Sequence, residues 1–145
     1  MIQNSSIEII MNQEDLQKLK DTNICPTGDF EGADLTGMDL RRANLSGAAL
    51  KKANLSNADL TEANLSVADL TGAKLESAKL RQANLEGALL GGADLRHANL
   101  GSTNLMFADL SKADLYKANL TNASIAEAKF CSTTLPDGKI SNRDC

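Results

Sequence analysis

The sequence predicts an all-β solenoid of four-sided coils, with a short α-helix lying over its first coil. Three observations carry that prediction. A five-residue repeat runs without a break through most of the chain, charged residues recur in opposite-sign pairs twenty positions apart, and a capped helical segment precedes the repeat.

From Gly28 to Asp137 the chain divides into twenty-two consecutive five-residue units. The third residue of every unit is Leu, Phe or Ile, from Phe30 through Leu135. Two residues earlier stands Ala, except at Gly28, Met38, Thr103 and Thr133, and the residue between is usually Asp or Asn. An α-helix cannot use this pattern, because five residues advance it by about 500° and leave successive leucines roughly 140° apart. The small-x-Leu part instead alternates as a strand does, so both apolar side chains face one way. The two residues that follow, such as Ser56-Asn57 or Thr61-Glu62, are polar or Gly and turn a corner. One unit is therefore one side of a coil, with Ala and Leu inside.

The number of sides follows from the charges, since opposite charges on neighbouring rungs attract. At a spacing of twenty, seven pairs are opposite: Glu31–Lys51, Arg42–Glu62, Asp59–Lys79, Lys74–Asp94, Glu76–Arg96, Asp109–Lys129 and Lys117–Asp137. Two, Asp39–Asp59 and Asp94–Asp114, are alike. At fifteen, the spacing of a three-sided coil, four are opposite and two alike. Asn44, Asn64, Asn84 and Asn104 also recur at twenty, as one ladder would require.

Composition agrees. Trp is absent, and Phe30, Phe107, Phe130 and Tyr116 are the aromatic residues, so the interior is narrow. A net charge of −4 favours neither a nucleic-acid partner nor a strong acidic field. No apolar run approaches the roughly 18 residues of a membrane span, so no membrane insertion is expected. The opening MIQNSSIEII lacks the basic start and apolar stretch of a signal peptide. As given, the chain reads as soluble and cytoplasmic.

A solenoid exposes its core at each end unless something covers it. Residues 12–21, NQEDLQKLKD, predict a short helix with Asn12 as N-cap, Asp15 at the capping-box position and a Met11–Leu16 staple. Leu16 and Leu19 would then lie over the first coil. Cys25 falls in register with the unit centres, which makes it a buried residue rather than a reactive thiol.

The motif A-(D/N)-L-x-x, present verbatim at Ala53-Asn54-Leu55 and Ala58-Asp59-Leu60, resembles that of the pentapeptide-repeat family, over about three quarters of the chain. The resemblance implies a right-handed quadrilateral β-helix of about five and a half coils, a rod about 26 Å long at roughly 4.8 Å per rung. The expected organisation is an N-terminal segment with its capping helix over 1–27, the repeat body over 28–137 and a tail over 138–145.

In the final stretch, FCSTTLPDGKISNRDC, Pro136-Asp137-Gly138 suits a type I turn. Cys131 and Cys145 bracket it, and their residues leave two readings open. One is a disulfide, stabilising by on the order of 3 kcal/mol for a loop of this length; the other is two free thiols in a reducing compartment. Similar Cys-bracketed tails occur in cyanobacterial and plastid-lumen members of the family. The resemblance thus implies a bridge under oxidising conditions, and a periplasmic or thylakoid-lumenal site if a leader has been removed. Relatives often carry a second Cys where this chain has Gly28, so no bridge to Cys25 is expected.

Chemistry is sparse. The sequence holds no phosphate loop, paired-Cys metal site or dinucleotide fingerprint. His97 sits on a corner above Ser77 and below Lys117, where a Ser–His contact would have no shelter. The carboxylates are spread over flat faces with no cleft to perturb them. Catalytic residues, cofactors and metals are therefore not expected. The N-L-S/T triplets at Asn44, Asn54, Asn64 and Asn119 match a glycosylation pattern that the repeat itself generates.

Two outward features remain. Val67, Gly87 and Phe107 share a corner column, with Met106 beside Phe107 and Leu89 on the adjoining face. Either Phe107 folds over Gly87 to cover exposed backbone, or Val67, Leu89, Met106 and Phe107 form a small apolar docking patch. Arg41, Arg42, Lys51 and Lys52 form a basic cluster that Glu31 and Glu62 would neutralise from neighbouring rungs.

These features fit a non-enzymatic, monomeric scaffold or binding module for an unidentified protein partner. The alternative implied by the resemblance is a DNA-mimicking inhibitor of gyrase. Against it, the repeat region holds 14 acids and 11 bases, so no face is strongly negative.

Overall fold

The computed structural model describes residues 4–145, with side chains from Asn12 onward. Its body is a ladder of single parallel bridges, each between a residue and the one twenty positions on, from Ile24↔Asn44 to Asp114↔Thr134. Four five-residue sides therefore make one coil. Each side has room for one bridging residue between two corners, so continuous strands do not develop along the body. Two short strands stand at the C-terminal end, β1 (Thr133–Thr134) and β2 (Ile140–Ser141), paired antiparallel.

The corners of the body share one build. The fifth residue of the unit is left-handed, as at Asn57 (φ 60°) and Glu62 (φ 60°), and the next Ala closes the turn, with Ala58 N–H donating to Leu55 O at 3.0 Å. For an L-residue that conformation costs roughly 1 kcal/mol. The ladder on both sides offsets it: Leu55 N–H donates to Lys74 O at 2.7 Å, and Asn54 N–H to Ala33 O at 2.9 Å.

The Asp/Asn preference at the second position has a local cause. Asn54 Oδ1 accepts the Ser56 N–H at 3.1 Å, and Asp59 Oδ1 accepts both the Thr61 N–H at 3.1 Å and the Thr61 hydroxyl at 2.6 Å. The short side chain folds back on its own chain and fixes the entry to each corner.

The core is a column of Leu and Ala, almost entirely excluded from solvent from Ala43 through Leu115. Three of the four exceptions to Ala have individual explanations. Thr103 and Thr133 are fully buried and donate their hydroxyls to Leu80 O and Leu110 O, each at 2.7 Å. At Gly28 a Cβ would stand 2.6 Å from Cys25 Sγ and 2.6 Å from the Phe30 ring, so the larger Cys25 and Phe30 fill the space of an Ala.

The N-terminal helix, α1, spans Asn4–Thr22 and is longer than the sequence predicts. Asn12 is thus an interior helical residue and not the N-cap. No Gly or Pro occurs between Asn4 and Thr22 to stop the helix from extending. The predicted Met11–Leu16 staple involves a side chain outside the described residues. Asp15 takes a different role, accepting the Asp29 N–H at 2.8 Å and so tying α1 to the coil. Leu19 is buried, and Leu16 packs against the core. Asn23 ends the helix with a left-handed residue (φ 57°) whose N–H donates to Leu19 O at 2.8 Å. Cys25 is buried, and burial, with Asp15 beside it, pushes its thiol pKa up.

At the other end Gly138 N–H donates to Leu135 O at 2.9 Å across Pro136-Asp137. Here the left-handed residue is Gly138 (φ 86°), one position later than in the repeat, and the chain reverses into β2. Cys131 and Cys145 are joined in a disulfide, with Cα atoms 4.7 Å apart. No described helix is long and apolar enough to cross a membrane.

Candidate docking surface

The sides of the rod are polar, and eleven of the 25 charged residues between Gly28 and Asp137 stand in ion pairs. Arg41 grips Asp39 with two hydrogen bonds, Nε to Oδ1 at 2.8 Å and Nη2 to Oδ2 at 2.6 Å. That grip draws the Asp39 carboxyl down to about 2. Arg96 holds Asp94 in the same way and lowers its pKa. Both pairs lie two residues apart on one side of the coil. This D-x-R signal is legible in the sequence once the geometry of the side is known.

Between rungs, Arg42–Glu62 (2.9 Å), Glu76–Arg96 (3.5 Å) and Lys79–Asp59 (3.9 Å) form ion pairs at the predicted spacing of twenty. Lys51 turns to Asp69 at 3.8 Å and not to Glu31. The basic cluster is therefore partly neutralised, by Asp39, Glu62 and Asp69. These are exposed pairs, each contributing at most about 1 kcal/mol.

His97 occupies an exposed corner (φ 60°), with its ring edge-on to Tyr116 at a centroid distance of 6.4 Å. Among the described residues it makes no hydrogen bond to Ser77, and no cluster of His, Cys, Asp or Glu is arranged to hold a metal ion.

The apolar column is different. Val67 is 66% exposed, Phe107 57% and Leu89 47%, with Met106 half-buried beside them. Val67 and Phe107 both stand at left-handed corners, with φ of 50° and 60°. A β-branched residue is a genuine outlier there, because its Cβ substituents crowd the backbone. Gly87 lies on the rung between. A Cβ at Gly87 would meet Val67 Cγ1 at 3.2 Å and no atom of Phe107 within 4 Å. Val67 leans over the glycine, then, and Phe107 does not. Phe107 thus makes no contact at the point a Gly87 Cβ would occupy, and its ring is largely exposed. Among the described residues, the other exposed large apolar side chains (Ile24, Tyr116, Ile125 and Ile140) lie towards the two ends of the rod.

The chain matches the description of pentapeptide repeats, in eight copies, over residues 29–66, 68–105, 88–125 and 98–135. Among solved structures it is similar to a pentapeptide repeat protein from the Arabidopsis thaliana thylakoid lumen, AT2G44920. That match has 33% identity, covers 70% of this chain and 71% of the other, and has a TM-score of 0.68. It is also similar to the pentapeptide repeat protein Rfr23 of the cyanobacterium Cyanothece 51142, with 27% identity, 88% and 97% coverage and a TM-score of 0.62. QnrB1, a plasmid-mediated fluoroquinolone resistance protein, matches at 23% identity over 83% and 69% of the two chains, with a TM-score of 0.51, and shares the fold. A search of curated proteins finds no match. The twenty-residue ladder, the Leu/Ala core and these likenesses agree: the chain belongs to the pentapeptide-repeat family, whose members fold as right-handed quadrilateral β-helices.

Proposed function

We propose that this protein is a non-catalytic scaffold that docks a protein partner on the column formed by Val67, Leu89, Met106 and Phe107. The observation that carries this reading is the pair of large apolar side chains at left-handed corners of one column, both more than half exposed to solvent. Backbone strain and apolar exposure are both costs, and their coincidence on one face is what a binding site would retain. In this reading the body is a rod of about five and a half coils, and α1 serves as a lid over the first.

Catalysis has little to work with. The narrow interior leaves no room for a substrate, and the surface carboxylates that Arg41 and Arg96 grip are ordinary ion-pair partners. DNA mimicry, the alternative, needs a sustained negative field. The local pairing of Asp39, Asp59, Asp69, Asp94, Glu62 and Glu76 with Lys or Arg works against such a field. The likeness to QnrB1 speaks for a shared fold alone.

Capture from native extract with immobilised protein tests the proposal. A protein retained by the wild type and lost with Phe107→Glu, while circular dichroism stays unchanged, is the expected result. Equal capture by both would remove the patch from the account. Inhibition of gyrase supercoiling by the wild-type protein at about micromolar concentration, an affinity of about 8 kcal/mol, would replace the scaffold reading with the mimic.

A further inference from the structure

The end of the coil at residues 118–137 is finished unequally. In the body, the N–H of each unit's third and fifth residues donates to the next coil, as Leu110 does to Lys129 O and Lys112 to Cys131 O. In the last coil there is no next coil to receive them. On the side that contains Phe130, side chains of the tail take over. Asp144 Oδ2 accepts the Phe130 N–H at 2.8 Å, Asn142 Oδ1 accepts the Ser132 N–H at 3.2 Å, and Arg143 Nη2 donates to Ala128 O at 2.7 Å. Arg143 also lies over the Phe130 ring, 4.6 Å from its centroid. On the two preceding sides, the equivalent N–H groups of Leu120, Asn122, Ile125 and Glu127 have no protein partner among the described residues.

Three consecutive side chains thus imitate a missing rung. All three residues are exposed, and water competes for each of their contacts. Beyond β2, which ends at Ser141, what holds them in place covalently is the Cys131–Cys145 bridge. Cys145 is exposed and Cys131 half-buried, so a soluble thiol can reach the bond.

We propose that this disulfide is a redox latch: its reduction frees residues 142–145 and opens the Phe130 side of the coil end, while the body stays folded. The chemistry is thiol–disulfide exchange with a dithiol. One thiolate of the reductant attacks Cys145 Sγ and the Cys131–Cys145 bond breaks, releasing the Cys131 thiolate. The second thiol of the reductant then displaces Cys145 and closes a disulfide within the reductant. Two electrons and two protons pass from the dithiol to the two cysteines. Without the bridge, the tail is held beyond β2 only by its own exposed hydrogen bonds, for which water competes.

The bulk of the ladder does not depend on the latch. Leu60 and Leu80 donate to Lys79 O and Asn99 O, two coils or more from the tail in sequence. The β1–β2 pairing, with Leu135 N–H donating to Lys139 O, also lies before the released residues.

Amide hydrogen exchange with and without dithiothreitol tests the proposal. On reduction, the Phe130 and Ser132 amides should exchange at least about tenfold faster, while Leu60 and Leu80 keep their protection. Cys145→Ser should show the fast rates at Phe130 and Ser132 whether or not dithiothreitol is present. Unchanged rates on reduction would overturn the latch, as would a Cys145→Ser protein that protects Phe130 as well as the oxidised wild type does. Acceleration throughout the body would equally overturn it, because the bridge would then be a global staple.

Discussion

Val67 shows how far a single residue can depart from what the backbone favours at its position. Its corner is left-handed, a conformation that other units meet with Gly72 or Asn57. Val67→Gly should therefore raise stability by up to about 1 kcal/mol through relief of backbone strain, less the entropy that glycine adds to the unfolded chain. Thermal denaturation checks this, and a lowered midpoint would mean that Val67 contributes more through contact with Gly87 than it costs in strain. If the column docks a partner, the same substitution should weaken capture, so stability and binding would move in opposite directions. At this scale the inward residues were legible, because the alternation of Ala and Leu is set by the pleat. The Asp and Asn side chains that fold onto Ser56 and Thr61, and the grip of Arg41 on Asp39, were not. Their partners lie two residues along the same side, and only the backbone geometry of the corner brings them together.

At the scale of the element, the corners carry a pH dependence. Hydrogen bonds from neighbouring residues hold the carboxyls of Asp34, Asp39, Asp59, Asp94, Asp109 and Asp144 below the ordinary range, Asp39 at about 2. Folding thus favours their charged forms. The stability they contribute is fully present above the unfolded-chain value near pH 4, and is lost as pH falls through the folded values towards about 2. Urea denaturation should show a constant midpoint from pH 7 to 5 and a falling one from pH 4 to 2. A midpoint constant down to pH 2 would contradict the role given to these side chains. The two terminal elements were legible to different degrees. Leu19 lies in the core and Leu16 packs against it, yet the start of α1 was not legible, because Asn12 is a capping residue type in a segment where nothing else stops a helix. In the tail, the turn residues and the cysteines announced a reversal. The use of Asn142, Arg143 and Asp144 as a substitute rung depends on tertiary contacts that leave no periodic trace.

For the whole molecule, one number organises everything else: twenty residues per coil. It appears in the bridges from Ile24↔Asn44 to Asp114↔Thr134, and it places Val67, Gly87 and Phe107 in one column. The period was readable because five-residue units admit neither helix nor long strand, and because charges on stacked rungs favour opposite partners. Which pairs actually touch was less readable, since long side chains such as Lys51 choose among several carboxylates within reach. The ladder also fixes which leucines are buried and which face solvent. Leu75, at a unit centre, is buried in the column, whereas Leu89, one residue before a centre, is 47% exposed on the flat face. Both are leucines in the repeat region, and composition cannot tell them apart. Circular dichroism of Leu75→Lys and Leu89→Lys compares them most directly. The four-sided coil predicts that Leu75→Lys fails to fold, because a buried unpaired ammonium costs more than about 4 kcal/mol, while Leu89→Lys gives the wild-type spectrum and melting curve. Equal tolerance of both substitutions would contradict the register, and with it the assignment of an inner and an outer face.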